Sequence, residues 1–269
     1  MTSKLLWTAL FALLATPALA LSPDTADPAA IMKAVEARPT PKSMANKVQM
    51  TISDAQGRKR ERVVQSKQLD FAGGTKQLTF IAAPADVRNL AVLSIDYDDG
   101  AKDDDQWLYM PSQRKSTRIS SAGKSGSFMG SDFTYSDMTS KDPSQYDYTL
   151  VEQSEKVDGE DCWKIEARPK TAKEQRETGY VKTVSWVSKD KLMAIKIMML
   201  VRAGRKTKIV QMRDIKKIGG FWIPHVLTAS VGRNKKRESM TVLRMSNVKV
   251  NDPAIVDSEF SQRRLEQGL

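Results

Sequence analysis

From residue 48 to residue 250 the apolar residues of this chain recur mostly at every second position, in short runs separated by turn signals. Alternate side chains of an extended strand point to opposite faces, so this period argues for a sheet rather than a helical bundle. The runs cover 48–52, 61–71, 76–82 and 90–95, then 107–110 and 114–120, then 146–156, 162–168, 180–187, 192–201, 206–213, 221–231 and 239–250. Between them stand Asp54-Ala55-Gln56-Gly57, Gly73-Gly74, Val157-Asp158-Gly159-Glu160, Ser188-Lys189-Asp190-Lys191, Gly219-Gly220 and Arg233-Asn234-Lys235-Lys236, most of them hairpin-length connections. The expectation is a mainly β fold, an antiparallel meander of about eleven strands with few helices. No period of 20–50 residues repeats, which disfavours a propeller or solenoid. The charged, Gly-ended segment 169–179 reads as a loop.

One helix is legible. In 27–38 the residues Ile31, Met32 and Val35 fall at helical spacing, Asp27 stands where an N-cap belongs, and Pro39 ends the run. Ahead of it, residues 1–20 hold Lys4, an apolar run over 5–15, and Ala18 and Ala20 on either side of Leu19. This pattern predicts a cleaved secretory signal, with the cut after Ala20. A lipid-anchored protein needs Cys after the cut, and Leu21 stands there. No later stretch reaches about 18 consecutive apolar residues, so no transmembrane helix is expected. The remainder, 21–269, has the length of one β domain.

Cys162 is the only cysteine, so an internal disulfide is excluded and the core must hold the fold. The net charge is +11. In an exported protein such a balance suits anionic lipid headgroups or an acidic partner surface better than nucleic acid, or it is dispersed and only solubilising.

Catalytic and metal chemistry find little support. A nucleophilic triad or a zinc site would have to use the single histidine, His225, in the apolar run FWIPHVLTAS, with a single Cys162 on another strand. No Gly-x-Ser-x-Gly elbow occurs. Gly123-Lys124-Ser125 lacks the Gly five positions earlier that a phosphate loop requires; Arg118 is there. The carboxylates Asp96, Asp98, Asp99, Asp103, Asp104 and Asp105 crowd around Gly100, but out of EF-hand register, and read as a solvated hairpin tip. No enzyme, cofactor or metal is expected.

The run 192–201 is apolar on both faces. Met193, Ile195, Ile197, Met199 and Val201 lie on one; Leu192, Ala194, Lys196, Met198 and Leu200 lie on the other. Neighbouring runs add Phe221, Ile223, Leu227, Leu243 and Met245. Such a strand lies between two packed layers or lines a cavity. The 13 methionines fit either gap-filling in a core or a surface that accepts variable apolar partners.

Residues 104–138, DDQWLYMPSQRKSTRISSAGKSGSFMGSDFTYSDM, hold the most specific sequence. Trp107-Leu108-Tyr109-Met110 is stopped by Pro111, a basic run follows, then a Gly/Ser-rich stretch carries Phe128, Met129, Phe133 and Tyr135. Trp107 and Tyr109 share one face of their strand, and Arg114 and Arg118 share a face that suits a phosphate headgroup or a carboxylate such as Asp132. WLYMP, the basic run and SFMGSDFTYSDM, with FWIPHVLTAS and DSEFSQRRLE beyond, resemble the outer-membrane lipoprotein-sorting proteins, the LolA-like family often paired with RND-type (MMPL-like) exporters. That resemblance implies an open half-barrel covered by helices, carrying a lipid or lipoprotein acyl chain in the periplasm. With it, Trp107, Tyr109, Phe128, Met129, Phe133, Met193, Ile195, Ile197, Met199, Phe221, Ile223 and Leu227 become candidates for the cavity and its lid. Arg114, Arg118 and Asp132 become candidates for a headgroup site or latch. The Gly/Ser-rich residues 121–131 suit a movable lid. The alternative is a non-transporting accessory or sensor subunit docked on an envelope exporter, with a filled core.

Overall fold

The computed structural model describes residues 21–269 apart from Ala101 and Lys235; the expected signal segment 1–20 lies outside the described residues. Thirteen strands are present among them, in one antiparallel sheet. A first meander comprises β1 (Ser43–Asp54), β2 (Lys59–Phe71), β3 (Gly74–Ala83), β4 (Ala91–Tyr97), β5 (Asp105–Met110) and β6 (Lys115–Arg118). A second comprises β7 (Tyr146–Val157), β8 (Glu160–Pro169), β9 (Tyr180–Ser188), β10 (Met193–Val201), β11 (Lys206–Ile218), β12 (Phe221–Arg233) and β13 (Lys236–Val250). The two are joined by pairing of β1 with β13, where Met50 faces Leu243 and Ile52 faces Thr241. Sheet order is therefore β6 to β1, then β13 down to β7, and the sheet's edges are β6 and β7. The expected count of about eleven rises to thirteen, since every one of the apolar runs, the short β5 and β6 included, is a member of the ladder.

Helices are few: α1 (Pro28–Glu36), α2 (Ala172–Thr178) and α3 (Gln262–Gln267). None is long and apolar enough to cross a membrane. Helix α1 begins at Asp27, whose carboxylate accepts from the N–H of Ala29 and Ala30. Helix α2 corrects the reading of 169–179 as a loop. Thr171 Oγ1 accepts from Glu174 N–H, and Gly179, at φ 77°, ends the helix in the left-handed region that glycine adopts without steric cost.

The sheet curves. Leu108 of β5 and Tyr180 of β9 stand nine strands apart in sheet order, yet both belong to one apolar cluster with Val48, Met50, Val64, Ile81, Met199, Val210 and Leu243. This face is the inner one. Helix α1 covers another part of the same face, with Ile31 seated against Trp163, Ile165 and Val187. The opposite face of β3–β5 is capped by the C-terminal segment, whose Ile255, Phe260 and Leu265 pack on Leu78, Phe80, Leu93 and Tyr109.

Strand β10 departs from strict alternation. A bulge between Ala194 and Lys196 shifts its register against β9, so Ile195 packs with Trp186 and Cys162 on one side while Ile197 and Met199 join the inner cluster. The five residues 193–201 expected on a single face are thus divided between two.

Candidate functional site

The chain between β6 and β7, residues 119–145, is a chain of short 3-10 turns at Ser121–Ser125, Phe128–Gly130, Ser136–Met138 and Pro143–Gln145, and its middle packs onto the inner face of the curved sheet. Phe128, Met129 and Phe133 are buried in the inner cluster, and Tyr135 meets Phe128 edge to face with ring centres 5.7 Å apart. We call this segment the plug. Ser127 and Thr134 pair across it as a single antiparallel bridge. At its tip Met129 takes φ 49° and Gly130 φ 70°. A left-handed methionine is uncommon and costs of order 1–3 kcal/mol, so its surroundings must enforce it. They do: Met129 is buried, and the Arg62 guanidinium stands 3.4 Å from where a Cβ on Gly130 would be.

Three polar latches hold the plug against the sheet. Asp132 accepts from Thr241 Oγ1 at 2.7 Å and from Ser239 Oγ, while its own N–H donates to Thr241 Oγ1 at 2.9 Å. Asp137 accepts from Lys208 Nζ at 2.5 Å and from the Tyr180 hydroxyl at 2.8 Å, and Lys208 Nζ also donates to that hydroxyl at 2.7 Å. Burial, then the adjacent Asp137 carboxylate, pushes the Tyr180 hydroxyl above its usual range, so it stays a donor. Gln106, fully buried, donates to Tyr135 O at 3.0 Å and to Ser94 Oγ at 3.2 Å. A looser ion cluster completes the set: buried Lys124 stands 3.6 Å from Glu177 of α2 and 3.8 Å from Asp104.

Where the plug leaves the sheet, a polar cleft of 680 Å³ opens between the β3–β4 end, α2 and residues 136–145. Asp96 and Asp104 meet in it. Asp96 accepts from Ser140 N–H at 2.6 Å, and the Asp104 carboxyl hydrogen-bonds to that of Asp96. Burial and the neighbouring Asp96 charge push Asp104 up to about 6, so the pair holds a proton in mildly acidic solution. Glycine sets this geometry. Gly74 has φ 146°, and a Cβ there would lie 1.9 Å from Asp96 O.

The predicted site residues divide into groups. Phe128, Met129, Phe133, Ile197, Met199 and Leu227 come together on the inner face. Trp107 and Tyr109 stand on the other face, under the C-terminal segment; from their strand it is Leu108 that joins the inner cluster. Ile195 faces Trp186, Met193 is buried beyond the bulge, and Phe221 and Ile223 lie further along the strand that carries Leu227. Asp132 is a latch, but to hydroxyls. Arg118 pairs with Asp105 through its Nε at 2.7 Å, and Arg114 occupies the β5–β6 turn at φ 48°. Cys162 is fully buried, its thiol pushed up to about 11 by burial.

Lys208, Asp137, Tyr180 and Lys124 escaped the sequence reading. For Lys208 a signal existed, since it lies in phase with Val210 and Met212 on β11, a lysine at a position whose period says interior.

Comparison with known proteins follows the fold. No curated protein matches the chain. Residues 73–267 match a family model described only as an uncharacterized protein. A solved structure described as an outer membrane lipoprotein-sorting protein domain, from Vibrio parahaemolyticus, is 28% identical, with a TM-score of 0.78 over 88% of this chain and 97% of that one. A DUF1329 family protein from Desulfovibrio piger is 29% identical, with the same TM-score and coverage. A LolA superfamily protein from Nitrosomonas europaea, 21% identical with a TM-score of 0.64 over 88% of this chain and 98% of that one, shares the fold. The chain thus belongs to the family of uncharacterized proteins matched over residues 73–267, and its open thirteen-stranded sheet with helical cover has the LolA-like fold, similar to that of the lipoprotein-sorting domain.

Proposed function

We propose that the protein is a periplasmic carrier, one domain exported by the segment 1–20, that holds a lipid or lipoprotein acyl chain on the inner face of its sheet and performs no chemistry. The observation that carries this reading is the plug: a segment joined to the sheet by a few polar latches and three large side chains, lying on a face whose central cluster is apolar. Burying Phe128, Met129 and Phe133 is worth about 5–9 kcal/mol, and each methylene of an acyl chain about 0.8 kcal/mol. A chain of about ten carbons therefore matches the apolar burial the plug gives up, and a longer one contributes toward the latches as well. The likeness to a lipoprotein-sorting domain at 28% identity supports the same reading. Release then requires a partner, for which an RND-type exporter or an outer-membrane acceptor is the expected kind.

The filled inner face also favours a second reading, a non-transporting accessory or sensor subunit. Native mass spectrometry of protein purified from its own envelope separates the two. A stoichiometric lipid supports carriage and names the cargo. An apo mass, unchanged by phospholipid, fatty acid or lipopeptide, overturns carriage and leaves the accessory role.

A further inference from the structure

On the side of the sheet away from the plug, a second cleft of 560 Å³ lies between β1–β3, the end of β13 and the C-terminal segment 252–269. Its floor is apolar: Leu78, Phe80 and Ile255. Its rim is cationic. Lys67 is bound to Glu259 at 2.6 Å, and the Arg264 guanidinium stands 5.5 Å from the centre of the Phe80 ring. Lys47 and Lys249, both exposed, make no ion pair among the described residues. One buried acceptor also lines the cleft without a hydrogen-bond partner, Glu259 Oε2, whose other oxygen takes Lys67.

These features make complementary demands. Lys47 and Lys249 call for an anion, the free Glu259 oxygen accepts only from N–H or O–H donors, and the floor takes hydrocarbon. One molecule class carries all three. We propose that this cleft binds the headgroup and first methylenes of an amine-bearing zwitterionic phospholipid. Its phosphate meets Lys47 and Lys249, its ammonium donates to Glu259 Oε2, and its proximal chain lies on Leu78, Phe80 and Ile255. The site is separate from the inner face, so it holds whether or not the plug gives way to an acyl chain.

The test is a titration of dihexanoyl phosphatidylethanolamine, below its micelle concentration, followed by amide chemical shifts. Saturable shifts centred on Lys47, Lys249 and Glu259 are expected, at least tenfold weaker in the Lys47→Glu/Lys249→Glu double variant, whose exposed positions leave folding intact. The choline analogue, which has no N–H donor, binds at least fivefold more weakly, and glycerophosphoethanolamine, which has no chains, more weakly still. Shifts confined to residues 124–138 and the inner face overturn the outer site, as does an unchanged affinity in the double variant. Equal affinity for the choline lipid overturns the amine recognition. A variant with its plug cross-linked to β13 keeps this binding if the two sites are independent, and a loss there overturns their separation.

Discussion

Lys208 Nζ lies 2.5 Å from Asp137 Oδ2 in the interior of the sheet, with only 2% of the lysine side chain exposed and the partners 71 positions apart in the chain. Removing one member of such a pair strands the other charge in a medium that solvates it poorly. The Lys208→Met variant is accordingly expected to lose about 3–5 kcal/mol in denaturant unfolding. The Asp137→Asn/Lys208→Met double variant recovers a large share of that loss. A double variant no better than the single one shows that the pair is not the source.

Plug release is tested by locking it. Asp132 and Ser239 are joined by a side-chain hydrogen bond, so a cysteine pair at these positions ties the plug to β13 when oxidised. Fatty-acid uptake is expected to fall at least tenfold on oxidation and to return on reduction. In the unlocked protein, hydrogen exchange over 124–138 rises with acyl chains of about ten carbons or more and not with hexanoate. Uptake that ignores the cross-link shows that the chain binds elsewhere.

Asp104 makes stability depend on pH in the direction opposite to a salt-bridged carboxylate. Its folded value is about 6, above the usual value near 3.9 of an unfolded chain, so the folded state binds the proton more tightly. The stabilisation is present at pH 4 and is lost as pH rises through about 6, beyond which the curve is flat. Partial exposure limits it to about 1–2 kcal/mol. Melting curves of the wild type and Asp104→Asn check this: the difference between them changes between pH 4 and 6 and not between 7 and 8.

Gly74→Ala is expected to cost about 3 kcal/mol or more, since the new methyl meets the Asp96 carbonyl at 1.9 Å on a backbone of φ 146°. Because the clash moves Asp96, the same variant shifts the pH dependence assigned to Asp104. A melting temperature within a degree of the wild type contradicts both statements.

The meander was legible because period two and hairpin turns are local signals, and most strand boundaries fall within a few residues of the apolar runs. Helix α2 was legible too, in Thr171 and Glu174 at capping-box spacing and Gly179 at its end, yet net charge pointed to a loop. What alternation cannot carry past is a bulge: one extra residue at Ala194–Lys196 sends Ile195 and Ile197 to opposite faces. Nor does a strand's own pattern say which face is concave. Trp107 and Tyr109 offer the larger apolar surface, but curvature across nine strands places Leu108 inside instead. The latches were hidden for the same reason, as Asp137, Tyr180 and Lys208 sit on three segments that only the closed geometry brings together.

Because β1 and β13 pair at the centre of the sheet, its two free borders are consecutive in the chain, and the only covalent bridge between them is residues 119–145. The fold is thus a book with its spine at the β1–β13 ladder and its clasp made of the plug. Unfastening the clasp breaks side-chain latches and a few local turns, and no rung of the strand ladder. In the proposed carrier a guest would enter sideways between the covers, with the barrier to that event set apart from the stability of the binding itself.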